Sequence, residues 1–239
     1  MTGPAAAAGV FDTLLVQDGR PVAPAAHLAR LSASVLEVYD VPLDEADLTA
    51  RVSEAAAGRA LARVRVAFAP GAGVSVATTD LAERPRGPWH LVVRRVPGGW
   101  GRHKWQDRSL LEPPDPRRVD DVDLLLVDEH DHLLETVRGN VFVVREGAVV
   151  TPPLDGRILP GVTRATMLHL LAGLEVRRRE RPLTLTDLAA ADEVFVTNAI
   201  GGVRAVASCA SVGDWPTGPV TRAADEAVEQ SWGASRGDA

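Results

Sequence analysis

The sequence predicts an α+β fold in two units, and three observations predict it. Residues 24–57 hold two segments with apolar residues at helical spacing, set between short runs that alternate polar and apolar side chains. Beyond residue 88 the pattern changes to many strand-like runs with few helices. Between them, Glu83-Arg84-Pro85-Arg86-Gly87-Pro88 is charged, proline-bearing and nearly without apolar residues, as a linker is. The expected division is a small first domain over 1–83, a linker over 84–88 and a larger second domain over 89–239.

The elements follow in order. VFDTLLV at 10–16 reads as a strand, and Gln17-Asp18-Gly19-Arg20 as a turn. Pro24 opens a helix over 24–39, with Leu28, Leu31, Val35 and Val38 on one face. A second helix runs over 44–57, where Gly58 stops it. Residues 63–68 set Arg63 and Arg65 against Val64, Val66 and Phe68, as a half-exposed strand does, and a Pro-Gly turn leads into a strand over 74–78. In the second domain strands are expected at 89–96, 123–127, 132–136, 140–145, 148–151, 193–198 and 203–207. Helices are expected at 160–174, 186–190 and 220–232, a glycine-rich loop at 97–101, and a proline-rich connector at 112–118. The alanines at 5–8 and the polar tail at 233–239 read as frayed ends.

Composition excludes several classes of function. The net charge of −6 lacks the basic footprint of a nucleic-acid binder. With one cysteine, Cys209, there is no intrachain disulfide framework and no cysteine zinc site. No apolar run approaches the roughly 18 residues of a membrane span. The start has no basic n-region or apolar h-region, so a cytoplasmic protein is expected.

One count points to chemistry. Of the 26 basic residues, 25 are arginine and one, Lys104, is lysine. Arginine serves wherever only positive charge is wanted, but it does not lose its proton. A lysine can be desolvated to a neutral amine, attack a carbonyl and form a Schiff base. The alternative is an ordinary surface lysine.

Six segments, in order, resemble the fold-type IV family of pyridoxal-phosphate enzymes, the class IV aminotransferases and 4-amino-4-deoxychorismate lyases. They are V-F-D-T at 10–13, H-L-A-R-L at 27–31, H-K-W-Q-D-R at 103–108, E-T-V-R-G-N-V-F at 135–142, L-P-G-V-T-R at 159–164 and F-V-T-N-A-I-G-G-V-R-A-V at 195–206. The resemblance, which spans Gly9 to Val206, implies the D-amino acid aminotransferase-like fold. In it a small α/β domain and a larger domain with a barrel-like sheet hold pyridoxal 5'-phosphate between them, and a homodimer completes each site. Only eight or nine residues precede the first segment, so the small domain is expected to be trimmed at its start.

The resemblance also implies roles. Lys104 would carry the cofactor aldehyde and move the proton at the substrate α-carbon. Glu135 would contact the pyridine nitrogen and keep it protonated, and Asn140 would be a further cofactor-binding residue. Arg30 would hold the phosphate through its fork, braced by His27. Val162 and Thr163 begin a helix whose unpaired N–H groups and dipole suit the same phosphate. Asn198, Ala199 and Ile200 form a second phosphate loop. Relatives commonly carry a hydroxyl where Ala199 stands, which leaves backbone N–H groups or Thr197 to replace it. Thr13, Arg65 and Arg204 are candidates for the substrate, with Arg63 and Arg138 as further possible carboxylate clamps. The expected reaction is elimination of pyruvate from 4-amino-4-deoxychorismate. The alternatives are transamination of a branched-chain or D-amino acid, and a non-catalytic dimeric relative with little or no cofactor binding.

Three other patterns carry less. Asp128, His130 and His132 alternate as metal ligands can, but sit in a turn-like run better read as a solvated hairpin, so no metal is expected. Gly98, Gly99 and Gly101 lack the strand-to-helix setting of a dinucleotide fingerprint. Nothing near Cys209 signals an activated thiol.

Overall fold

The computed structural model describes residues 6–111, 122–174 and 176–234. Contacts divide the chain into two compact units. Residues up to Arg84 group with His103–Ser109, and Pro85–Arg102 groups with the chain from Leu110 onward. His103–Ser109 therefore belongs with the first unit, although it follows the linker in sequence.

The first unit is a four-stranded antiparallel sheet in the order β2-β1-β3-β4, with β1 at Val10–Gln17, β2 at Arg20–Pro21, β3 at Leu61–Ala69 and β4 at Gly73–Asp80. Two helices pack on it, α1 (Pro24–Tyr39) and α2 (Glu45–Ala56). Pro24 fixes the first helical φ of α1, and the Asp44 carboxylate caps α2 by accepting from Ala46 N and Asp47 N at 2.9 and 3.1 Å. Val10, Leu14 and Val16 of β1 meet Val64, Val66 and Phe68 of β3 and Leu28, Leu31 and Val35 of α1 in one core. Ala6–Ala8, expected to fray, forms a 3-10 turn whose Ala6 carbonyl accepts from the Tyr39 hydroxyl.

The second unit is built on a nine-stranded mixed sheet. Its strands are β5 (Trp89–Arg95), β6 (Val122–Val127), β7 (Leu133–Thr136), β8 (Asn140–Arg145), β9 (Ala148–Thr151), β10 (Arg178–Glu180), β11 (Glu193–Asn198), β12 (Gly202–Cys209) and β13 (Gly213–Asp214). They run in the order β10-β9-β8-β11-β12-β5-β6-β7, with β13 on β12. The helices are α3 (Val162–Gly173), α4 (Leu185–Ala189) and α5 (Pro219–Ala234). Trp89, Leu91, Leu125, Val141, Val143, Val194, Val196 and Val206 fill the core on one face of this sheet. Phe142 and Phe195, paired across β8 and β11, stack on the other with centroids 4.9 Å apart. The proline-rich connector expected at 112–118 lies outside the described residues.

No helix among the described residues is long and apolar enough to cross a membrane. None of their His, Cys, Asp and Glu side chains form a group of three placed to hold a metal ion.

Candidate active site

Strand alternation gives the first sheet two different faces. Val10, Asp12, Leu14 and Val16 point toward α1, and Phe11 and Thr13 point away from it. Register places Thr13 directly opposite Arg65 and Phe11 opposite Ala67. Arg65 therefore shares the outer face with Phe11, and its guanidinium carbon lies 3.5 Å from the Phe11 ring centroid.

Asp12 anchors the helix-facing side. It is 1% exposed, yet every contact it makes is charge-matched. Arg30 donates through Nε and Nη2 at 2.9 and 2.8 Å, and Thr13 N donates at 2.7 Å. His27 Nδ1 lies 2.8 Å from the same carboxylate and must donate, because an ionised carboxylate only accepts. Burial pushes the Asp12 carboxyl up, but Arg30, then His27 and Lys104, more than offset it and hold it at about 2. His27 and Arg30, read from the sequence as neighbours on one helix face, do meet at this carboxylate.

Lys104 is placed by backbone pairing. Phe11 N donates to Lys104 O at 2.9 Å, Gln106 N donates to Gly9 O at 2.9 Å, and Val10 and Trp105 form an antiparallel bridge. The short β2 pairs only with the far end of β1, so the 104–106 segment occupies the lane beside its beginning. Trp105 turns into the core, which directs its neighbours Lys104 and Gln106 to the outer face. There Lys104 Nζ lies 5.1 Å from the Phe11 centroid, Arg108 lies 5.2 Å from it, and Gln106 Oε1 accepts from Arg65. Burial lowers the Arg65 pKa, as do the charges of Arg108 and Arg63. His103 ties the segment to α1, with Nδ1 3.1 Å from Ser34 Oγ and Nε2 3.6 Å from Glu37 Oε1.

On the second unit, Glu135 is the penultimate residue of β7 and is 7% exposed. Its Oε2 accepts from Leu159 N at 3.2 Å and from Asn140 Nδ2 at 3.4 Å, and Asn140 Nδ2 also donates to Leu159 O at 3.0 Å. Asn140 Oδ1 lies against Gly161, where a Cβ would come within 2.0 Å of it. That contact accounts for the glycine at the N-cap of α3, a helix start that no side chain caps. Val162 and Thr163 open its first turn, and Thr163 is buried.

Thr197 pairs across strands with Asn140 and so shares its face. It is 1% exposed, and its hydroxyl has no hydrogen-bond partner among the described residues. Asn198 Oδ1 accepts from Ile200 N at 3.0 Å and Gly201 N at 2.7 Å, holding a tight turn with half-buried Ala199 at its tip. The Ile200 N–H, expected to face a ligand, is thus used within the loop.

Arg204, a candidate for the substrate, turns its guanidinium to backbone and ring partners. It is 5% exposed, donates through Nε and Nη2 to Gly87 O, and lies 4.5 Å from the Trp89 ring centroid, on the face opposite Thr197. Arg138 also approaches Trp89, at 4.9 Å, and donates to Val122 O. Arg63 is exposed on the outer face of the first sheet. Asp128 accepts from His130 N, His132 N, His132 Nδ1 and Arg157 Nη1, so the run that resembles a metal face is a turn closed on its own carboxylate. Cys209 is buried, and burial pushes its thiol up to about 11.

Comparison with known proteins places this geometry in a family. The chain is 31% identical over 135 residues to the branched-chain-amino-acid aminotransferase of Escherichia coli K12, a stretch that is 52% of this chain and 44% of that protein. It thus spans less than half the length of that curated relative. A crystal structure of 4-amino-4-deoxychorismate lyase from Pseudomonas aeruginosa superposes with a TM-score of 0.75 at 25% identity, covering 96% of this chain and 94% of that one. The PLP-bound form of a hypothetical aminotransferase from Mycobacterium tuberculosis superposes with a TM-score of 0.80 at 21% identity, covering 99% and 94%. The family model for class IV amino-transferases matches residues 9–106 and 115–209, and the chain belongs to that family.

Proposed function

We propose that this class IV enzyme expels pyruvate from 4-amino-4-deoxychorismate to give 4-aminobenzoate. It is an enzyme of the pyridoxal-phosphate-dependent aminotransferase and lyase group, and pyridoxal phosphate is its cofactor. One observation carries the reading of the site. The chain's single side-chain amine stands on the same sheet face as a hydroxyl, Thr13, and a guanidinium, Arg65, suited to a substrate carboxylate.

The residues present fit the cofactor. The second unit offers a buried Thr197 hydroxyl without a partner among the described residues and an α3 start without a side-chain cap, beside a turn shaped by Asn198. That donor set suits a phosphate. Thr197 supplies a hydroxyl close to Ala199, where relatives carry theirs. When bound, pyridoxal phosphate supplies an electron sink for the pair left when a bond to the substrate carbon breaks.

The protein's own groups do the rest. Lys104 would hold the cofactor through its side-chain amine, and that amine, when free, would take the proton from the carbon bearing the substrate amine. Glu135, oriented by Leu159 N and Asn140, would accept the ring N–H. Val162, Thr163 and Ala199 backbone groups, the Thr197 hydroxyl and Arg30 would bind phosphate, with Asn198 and Ile200 shaping the loop. Thr13 and Arg65 would orient a substrate carboxylate. Arg204, with its fork on Gly87, braces the site. The family also supports a homodimer, which light scattering on the purified protein tests.

The 25% identity to the Pseudomonas lyase over 96% of this chain supports the lyase reading. The 31% identity to the E. coli enzyme favours a second, transamination of a branched-chain amino acid. Incubation with 4-amino-4-deoxychorismate separates them. Equimolar pyruvate and 4-aminobenzoate support the first. Amino exchange between leucine and a 2-oxo acid, with no pyruvate released, supports the second.

A further inference from the structure

Trp89 occupies an unusual place in the second unit. It is 1% exposed in the core, yet its indole N–H has no hydrogen-bond partner among the described residues. An aliphatic side chain would fill core space without stranding a donor. What Trp89 has instead is two guanidiniums over its ring, Arg138 at 4.9 Å and Arg204 at 4.5 Å.

Each arginine adjoins one of the two turns proposed above to carry cofactor groups. Arg138 lies in the turn between Glu135 and Asn140, and Asp123 fixes its backbone by accepting from Arg138 N at 3.2 Å. Arg204 follows the Asn198–Gly201 turn, and its stem passes under Gly201, where a Cβ would meet Arg204 Cδ at 2.9 Å. The β8–β11 pairing also brings the bases of these turns together, since a Cβ on Gly139 would meet Thr197 O at 2.3 Å. The loops are therefore joined twice, by backbone at Gly139 and Thr197 and by side chains through Trp89 on the other face of the sheet.

We infer that Trp89 is a positioning residue that, through Arg138 and Arg204, couples the Glu135–Asn140 turn to the Asn198–Gly201 turn and so sets their spacing for the cofactor. The coupling is a property of the protein alone. Its consequence for the cofactor rests on the function proposed above. Removing the ring frees both turns at once, although neither contains the substituted residue.

Hydrogen–deuterium exchange and cofactor titration on Trp89→Leu, Trp89→Phe and Arg138→Met test this. In the cofactor-free protein, Trp89→Leu is expected to speed amide exchange in both 136–140 and 198–202. Trp89→Phe, which keeps a stacking ring, restores most of the protection. With cofactor, the dissociation constant read from visible absorbance rises about tenfold in Trp89→Leu, the scale at which residues supporting a ligand shell act in metal sites. Arg138→Met gives the same paired pattern and stands in if Trp89→Leu does not fold. A merely structural tryptophan would lower the melting temperature and loosen β5 alone. Exchange confined to β5 in both Trp89→Leu and Arg138→Met, with cofactor affinity within twofold of the parent, overturns the inference. A parent protein that takes up no cofactor defeats the proposed function instead, and the exchange pattern still decides the coupling.

Discussion

Arg30 grips both carboxylate oxygens of Asp12, through Nε at 2.9 Å and Nη2 at 2.8 Å, on the face of the first sheet opposite Arg65. The bidentate pair fixes the guanidinium plane and joins α1 to β1 at the point where the Lys104 segment also joins β1. One buried carboxylate thus ties the helix to the strand.

Replacing Asp12 tests this directly. Asp12→Asn keeps the shape but leaves Arg30 and His27 without their counter-ion, and it should cost about 3 kcal/mol in urea unfolding. The native group also predicts an acid transition. Its pKa falls from 3.8 to about 2 on folding, so its stabilisation is complete above about pH 4 and is lost as pH falls toward 2. In Asp12→Asn that part of the acid unfolding curve should flatten.

Arg65→Met should leave the fold intact, because the charges nearest Arg65 are those of Arg108 and Arg63. Loss of a charge-assisted contact to substrate is worth about 1.5–3 kcal/mol, or roughly 10–100-fold in kcat/KM. Cofactor affinity should not change. Unaltered kcat/KM would remove Arg65 from the substrate site.

Thr197→Val exchanges a buried hydroxyl without a partner for an isosteric methyl. The cofactor-free protein should melt at the same temperature or higher. Cofactor affinity should fall by about fivefold, the loss of one hydrogen bond of about 1 kcal/mol. A destabilised protein with unchanged affinity would show that the hydroxyl serves the fold.

Gly161→Ala places a methyl 2.0 Å from Asn140 Oδ1. Asn140 must leave Leu159 and Glu135, at a cost of about 1–3 kcal/mol. Adding Asn140→Ala should relieve much of that cost, and a double-mutant cycle measures the coupling. Additive effects would mean that the two residues do not interact.

Much of this was legible in residue order. The period-two pattern of β3 put Arg65 on the outer face, and a strong bias toward arginine made Lys104 conspicuous. Asn140 and Glu135 were visible only through the family motif, because their link through Leu159 joins residues far apart in sequence. No local pattern reveals that the 103–109 segment pairs with β1 across the linker, since a two-residue bridge has no periodicity. The face that Arg204 takes is not legible locally, because alternation on β12 depends on which face the core occupies, and that is set by β5 and β11. The short β10, Arg178–Glu180, is wholly exposed and charged, so nothing in its composition signals a strand.

Lys104 is the residue on which the proposed chemistry depends. Borohydride reduction in the presence of pyridoxal phosphate, followed by peptide mapping, should fix one cofactor per chain on Lys104. Lys104→Ala should abolish both the label and the visible absorbance. A label confined to the N-terminal amine, or none at all with a folded protein, would contradict it.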